Sequence, residues 1–528
     1  MNIEMLDTTL RDGAQGEGIS FSIDDKIAVM RVLDELGVQW IEAGNPGSNI
    51  KDREFFRVLS GIKLEHAQIC AFGATRKKGI PVNEDTQLQS LLGAETETVV
   101  IVGKSWDFQA REVLGVSLEE NLAMIFETIR FVRDRGRQVI FDAEHFFDGW
   151  QYNSEYSQKT LQAAVEAGAQ RLVLCDTNGG TFPDSLSATI RAVRALFPVS
   201  VLGIHAHNDS GLACANALAA VGAGCTHVQG TLLGFGERCG NTALAVLIPN
   251  LELKSGFTCL PADSLEHLTA LSRQIAEIAN VVLPATMPYI GAHAFSHKAG
   301  MHADGILKTS TSFEHIEPSL VGNDRHFLLS EVGGRSVIAA RARNIDPKLK
   351  KEDPVIESIA ARVKKLEAEG WQFEGADASF ELLVRQELGQ KPDFFTILGY
   401  RVASEHPARD FLSCCQAWIK VRVDGVDEIA AAEGNGPVHA LDAALRRALS
   451  HFYPQLKRIR LNDYKVRVID GTEATAARVR VLIESTDGLH SWTTVGVSED
   501  IIDASRAALV DSIVYTLFAT DLLRKENL

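Results

Sequence analysis

Short apolar or β-branched runs recur along the first half of the chain, with amphipathic stretches between them. The runs read IEMLDTTL, VQWIEAG, AQICAFGA, TETVVIVG, QVIFDAEHF, RLVLCDT, SVLGIHAH and HVQGTLLG. Intervening segments, such as Ile23 to Leu36 and Asn121 to Arg135, carry helical hydrophobic spacing. Strands alternating with helices of this length predict parallel pairing. Eight such units in roughly 250 residues predict a (β/α)8 TIM barrel, over 1–275, in a chain of α/β class. A doubly wound open sheet is the other arrangement. It would want a glycine-rich phosphate turn after the first strand, and DTTLRDGAQ is not one.

After about Ser272 the alternation stops. Residues 276–376 read as helical linker subdomains, and LKKEDPVIESIAARVKKLEAEG there is charged, with apolar residues at helical spacing. Residues 377–528 read as an α+β domain with a repeated pattern. AWIKVRV and EIAAAEG lead into the helical stretch GPVHALDAALRRALSHF. DYKVRVID, ARVRVLIES and SWTTVGVS lead into a second, IIDASRAALVDSIVYTLF. Two β-rich units, each closed by an amphipathic helix, make a pseudo-duplication. No cluster of catalytic residue types stands out in it.

Candidate chemistry sits where barrel strands would end, as active sites of this fold do. Arg11 and Asp12 follow strand 1, His205 and His207 end strand 7, and Asn241 lies in the loop after strand 8. Strand 8 closes against strand 1, so the three strands are neighbours. Residues two apart on a strand share a face, so both histidines can point at one ion. A carboxylate, two imidazoles and an amide oxygen make an N/O site for Mg²⁺, Mn²⁺ or Zn²⁺ with positions left for substrate. HAHN alone reads equally well as a polar strand end with satisfied histidines. Asp12 and Asn241, placed beside it by the same barrel, favour the metal site.

DTTLRDG, HAHND and GFGERCGN resemble the acyl-CoA-dependent α-keto-acid condensing enzymes, the family of 2-isopropylmalate, homocitrate and citramalate synthases. HMG-CoA lyase is a more distant relative. The resemblance covers nearly all of the chain, and these three motifs are highly specific. GAQGEGISFSIDDK and EAGNPGSNIKDREFF are less specific and look most like the long bacterial members of the (R)-citramalate branch.

The resemblance implies a reaction. A base takes a proton from the methyl of acetyl-CoA, the enolate attacks the ketone of a 2-oxo acid, and the thioester is hydrolysed. The oxo acid implied is pyruvate, giving citramalate on the way to isoleucine. The alternative is 2-isopropylmalate synthesis from 2-oxoisovalerate, and the two differ in the volume of the side-chain pocket, at about 1–3 kcal/mol per methylene. The metal ligands implied are Asp12, His205, His207 and Asn241, with the ion as Lewis acid. Arg11 would stabilise oxygen charge in the transition state, a rim salt bridge being its plainer role. Thr177, in CDTNGG, matches the position that holds the keto-acid carboxylate, and is otherwise an ordinary loop hydroxyl. Glu144, in DAEHFFDG, either helps activate acetyl-CoA or accepts a structural hydrogen bond. Glu42, in IEAGNP, carries the same ambiguity and leans structural. Arg76, Lys77 and Lys78 either meet CoA phosphates or keto acid, or form a solvated basic turn.

FSHKAGMHADG resembles the family motif with the catalytic base, here His302, in a helical subdomain that reaches over the partner's barrel in a homodimer. An imidazole suits proton transfer near neutral pH. A core or capping histidine is the plainer reading, and His293 and His297 compete for the role. Phe313 stands in SFEHIEPSLVGN where relatives often carry Tyr, so any hydroxyl role there is missing or moved. The lyase's glycine-rich catalytic-cysteine loop is replaced by GFGERCGN, where Cys239 is expected as a small buried side chain. The C-terminal region resembles the regulatory domain that binds a branched-chain amino acid at a dimer interface. That implies isoleucine as inhibitor; a purely structural dimerisation domain is the alternative.

Composition adds limits. The 528 residues allow two or three domains with real cores. A net charge of −16 disfavours nucleic acid as a partner. MNIEMLDTTL already reads as strand 1, so no leader is expected. No CxxC pair occurs, and no apolar run reaches the roughly 20 residues a membrane span needs. These features predict a cytoplasmic protein with free thiols and no membrane contact. A reading of another class, an inactive barrel serving as an amino-acid sensor, sits poorly with an intact Arg11, Asp12, His205, His207 and Asn241.

Overall fold

The computed structural model describes residues 1–59, 61–298, 300–327, 335–390, 394–405, 414–469, 477–487 and 490–526. Eight parallel strands close into a barrel in sequence order. They are β1 (Glu4–Asp7), β2 (Trp40–Glu42), β3 (Gln68–Ala74), β4 (Thr98–Lys104), β5 (Gln138–Glu144), β6 (Arg171–Asp176), β7 (Val201–Ala206) and β8 (His227–Gly230). β8 pairs with β1 in register Glu4 to His227 through Asp7 to Gly230, which completes the closure. Helices α1 (Ile23–Leu36), α2 (Ile50–Leu59), α3 (Thr86–Leu92), α4 (Leu118–Arg133), α5 (Phe146–Ala167), α6 (Pro183–Leu196), α7 (Ala213–Gly222) and α8 (Leu244–Pro249) follow the strands in turn.

Local signals explain the punctuation. Ser22 caps α1 in a reciprocal capping box with Asp25, and Gly37 ends the helix in the left-handed region at φ 89°. Ser117 caps α4 through the Glu120 amide. Inward-facing Leu6, Trp40, Cys70, Val100, Ile140, Val173 and Cys175 fill the barrel, so it is a packed core rather than a pore.

The barrel floor holds a charged cluster. Glu4 accepts two hydrogen bonds from Arg171, at 2.7 and 2.8 Å, and Arg171 lies over the Trp40 ring. Burial pushes the Glu4 carboxyl up, but hydrogen bonds from Arg171 and His227 outweigh it and hold it at about 2. A carboxylate with a depressed pKa stabilises the fold above its unfolded value of 4.5, and that stability is lost as pH falls toward about 2. Glu4→Gln should therefore cost about 1–2 kcal/mol near neutral pH, after screening of this partly exposed group. Urea unfolding at a series of pH values checks this: the difference from wild type should shrink below 4.5, and a constant difference would refute it.

By its own contacts the described chain falls into two compact units, residues 1–295 with 316–325, and residues 296–315 with 326–528. The first adds α9 (Leu268–Ile278) to the barrel. The second begins with β9 (Ser296–His297), which pairs in parallel with β10 (His326–Phe327), and with α10 (Gly300–Lys308). Helices α11 (Arg335–Arg343), α12 (Pro354–Ala368) and α13 (Asp377–Glu387) share a core of Val337, Ile356, Ile359, Val363, Phe373 and Phe380.

The pseudo-duplication is present. Antiparallel β11 (Thr396–Glu405), β12 (Cys414–Val423) and β13 (Val426–Gly434) precede α14 (Pro437–Leu449). Antiparallel β14 (Arg460–Val468), β15 (Val479–Thr486) and β16 (Ser491–Ser498) precede α15 (Ile501–Glu526). Both helices and both sheets enclose one core that includes Ile419, Val421, Leu441, Leu445, Val481, Ile483 and Leu509. β11 is an addition to the sequence pattern. Its register shifts between Ile397 and Gly399, which breaks the two-residue alternation that marks a strand.

Candidate active site

The loop after β1 is wound on Thr8. The Thr8 carbonyl accepts the amides of Arg11 and Gly13. The Thr8 hydroxyl accepts the Asp12 amide at 3.2 Å and donates to Glu42 Oε2 at 2.5 Å. This turn brings Arg11 and Asp12 to the rim of the strands. Arg11 Nε donates to Glu42 Oε2 at 2.6 Å and Nη1 to Asp12 Oδ2 at 3.1 Å. Its guanidinium lies 4.0 Å from the Phe72 ring centroid. Glu42, fully buried, therefore meets Arg11 and Thr8 and does not line the cavity beside them.

Asp12, His205 and His207 bring their ligating atoms within 4.8 Å of one another. His205 Nε2 lies 3.5 Å from Asp12 Oδ2 and 3.4 Å from His207 Nε2. Burial raises the Asp12 pKa, but the Arg11 charge and His205 outweigh it and hold it well below the usual range, so it is a carboxylate. Burial, then the neighbouring His205, push His207 down to about 4, so it is a neutral imidazole with a lone pair to give. Asn241 bridges backbone to backbone with His207, and its Nδ2 donates to the Phe235 carbonyl at 3.0 Å. Its buried Oδ1 has no hydrogen-bond partner among the described residues. Gly236, at φ 149°, makes room for this amide: a Cβ there would collide with Asn241 Nδ2. Three converging donors and an orphaned amide oxygen fit a divalent cation.

A cavity of about 130 Å³ adjoins these groups. Arg11, Asp12, Asp142, Glu144, Thr177, His205 and His207 form its polar lining, and Phe72, Val102 and Cys175 its apolar wall. Glu144 pairs with Lys104 at 2.6 Å. The Thr177 hydroxyl accepts the His145 amide at 2.8 Å, so its own proton is directed elsewhere. His145 holds φ at 57°, a left-handed conformation that a non-glycine residue adopts at some cost and that often marks a functional site. Arg238 ties three rim loops together through Asp209 and the Thr177 carbonyl.

The fold thus gathers Arg11, Asp12, Glu144, Thr177, His205 and His207 around one cavity and sets Asn241 beside His207. His302 belongs to the second compact unit. It is exposed on α10 and stacks on Phe313, with centroids 4.1 Å apart and planes 19° apart. The competitor His297 is engaged with buried Glu314 at 2.9 Å. Cys239 corrects an expectation: it is exposed, not buried. Residues 237–239 stand out at the rim while the Asn241 amide turns in to the Gly234 carbonyl. Arg76 also differs. It is buried and spent on Glu120 and Glu127, at 2.8 and 2.7 Å, rather than on a solvated turn.

Sequence reasoning missed Phe72, Val102, Asp142, Cys175 and Gln229. Asp142 had a signal: it lies two residues before Glu144 on β5 and so shares its face. Gln229, one position before the end of β8, joins Asp142 to His205.

The chain, a closed barrel with an acid after β1 and a pair of histidines at the end of β7, is similar to known proteins along nearly its whole length. The HMGL-like family matches residues 2–282, the homocitrate synthase post-HMGL domain-like family residues 289–370, and the LeuA allosteric (dimerisation) domain residues 374–517. An (R)-citramalate synthase of Geobacter sulfurreducens is 48% identical, over 98% of this chain and 98% of its own length. One of Aquifex aeolicus is 47% identical, again over 98% of each. A probable 2-isopropylmalate synthase of Methanopyrus kandleri is 32% identical over 97% of each. The chain belongs to the (R)-citramalate synthase family.

Proposed function

We propose that this acyltransferase condenses acetyl-CoA with pyruvate to give citramalate and CoA. The observation that carries the reading is the convergence of Asp12, His205 and His207 beside Arg11, on one small cavity. The similarity to citramalate synthases at 47–48% identity, against 32% for the 2-isopropylmalate synthase, favours pyruvate as the oxo acid.

Asp12, His205, His207 and Asn241 would hold the cation, Mg²⁺ or Mn²⁺ with Zn²⁺ as a third candidate. When bound, such an ion polarises the keto oxygen of a chelated 2-oxo acid. Arg11 has its Nε held by Glu42 and one Nη1 N–H by Asp12, and directs its other N–H groups at oxygen charge in the transition state. Glu42 acts through Arg11. The Thr177 hydroxyl, its lone pair engaged by the His145 amide, donates to the oxo-acid carboxylate. Glu144, held by Lys104, faces the acetyl group. His302 is the base, its ring orientation kept by the Phe313 stack. The catalytic domain is 1–275, the linker subdomains 276–376, and the regulatory domain 377–528. The working form is a cytoplasmic homodimer inhibited by isoleucine through the LeuA-type domain. Among the described residues no helix is long and apolar enough to cross a membrane.

Release of free CoA from acetyl-CoA tests this, with and without EDTA, with pyruvate, 2-oxobutyrate, 2-oxoisovalerate and 2-oxoglutarate in parallel. Release with pyruvate well above the others, abolished by EDTA, is expected. Preference for 2-oxoisovalerate, or silence with all four, would overturn the reading. The apolar wall sharpens the test. Phe72, Val102 and Cys175 are the apolar lining of the cavity, so Val102→Ala, which enlarges it there, should move the kcat/KM ratio about tenfold toward 2-oxobutyrate.

A further inference from the structure

We propose that Gln229 and Asp142 are positioning residues that fix the tautomer and orientation of His205 and so prepare its Nε2 as a metal ligand. The inference rests on the metal reading above and goes beyond its ligand set.

The geometry is a relay of two hydrogen bonds across the barrel interior. Gln229 Nε2 donates to Asp142 Oδ1 at 2.9 Å, and Gln229 Oε1 lies 2.9 Å from His205 Nδ1. All three residues are buried: Gln229 is 1% exposed, Asp142 3% and His205 5%. A carboxamide has one donor end and one acceptor end. In this structure the amide turns its NH₂ toward Asp142, which as a carboxylate can only accept. The amide oxygen is then left facing His205 and can only accept. His205 must therefore carry a proton on Nδ1, so in the neutral ring, the form that ligates, the Nε2 lone pair faces Asp12 and His207. With the amide reversed, an N–H would face Nδ1 and drive the proton to Nε2, where it would block the ion.

The relay also restrains the ring. His205 is the middle residue of the three-ligand group, with Nε2 within 3.5 Å of both Asp12 Oδ2 and His207 Nε2. A small rotation about its side chain would lose both approaches. Orienting partners of metal-bound histidines commonly contribute 10–100-fold in affinity, by rough order of magnitude.

The test is direct titration of the full-length protein with Mn²⁺, read by calorimetry or by the Mn²⁺ paramagnetic resonance signal, independent of turnover. Gln229→Met keeps the length and removes both hydrogen bonds, and should weaken Mn²⁺ binding by about 10–100-fold. Asp142→Asn can present either its oxygen or its NH₂ to Gln229, so the amide is no longer fixed, and Mn²⁺ binding should weaken by a smaller factor, about three- to tenfold. ¹⁵N shifts of the metal-free His205 ring give a second readout: Nδ1–H in wild type, and a mixture in Asp142→Asn and Gln229→Met. A folded Gln229→Met protein with wild-type affinity would overturn the inference, as would an Asp142→Asn protein indistinguishable from wild type in both readouts. Failure of the metal reading looks different: wild type itself would bind no Mn²⁺, or Asp12→Ala would bind it unchanged.

Discussion

Asp12→Ala should lower kcat by about a thousandfold or more and abolish Mn²⁺ binding, while the barrel stays folded. Asp12 is the only carboxylate of the three-residue group and the residue that faces His205. Its removal leaves two imidazoles and an amide, a neutral donor set with much weaker hold on a hard divalent cation. Lewis-acid help at the ketone is worth several kcal/mol, which is the size of the loss expected. Folding should survive because the Asp12 side chain lies at the cavity, outside the hydrophobic layers of the barrel. Initial rates, Mn²⁺ titration and circular dichroism of the same preparation check this. A variant that binds metal and turns over normally would remove Asp12 from the site.

Arg11→Met should lower kcat by about 10²–10³-fold with a smaller change in the KM for pyruvate, as when a charge donor to the transition state is lost. A second effect accompanies it. Glu42 is fully buried, and Arg11 is the cation that faces its carboxylate. Leaving that charge unpaired should cost about 3–5 kcal/mol of stability. The two effects separate in the double variant. Adding Glu42→Gln removes the orphaned charge and should restore thermal stability without restoring turnover. If Glu42→Gln in that background restored turnover as well, the loss in Arg11→Met would be a folding defect and not a catalytic one. Lysine is a poor substitute at this position, because the Nε–H that Glu42 holds belongs to the planar guanidinium fork.

Much of this protein was legible along the chain because a barrel strand announces itself locally. Eight apolar runs at regular intervals, each followed by helical periodicity, specify alternating elements without any knowledge of their contacts. The strand-end rule then turned DTTLRDG and HAHND into one site. The same locality set the limit. β11 escaped because a bulge disturbed its alternation. Cys239 was expected buried because relatives usually carry a small residue at this position, but exposure in a rim loop depends on which backbone amides turn inward.

The sequence by itself determined the order of elements, the repeat in the C-terminal region, the family, and the residues that converge at the strand ends. These follow from periodicity and from motifs in which the chemistry is contiguous. Only the tertiary structure decided how those residues are held. Glu42 meets Arg11 31 positions away, and Gln229 meets Asp142 87 positions away. Such contacts are set by barrel closure and strand register, which bring side chains from separate strands to one face. A single strand's pattern says that a residue points inward; it does not say what it will meet there.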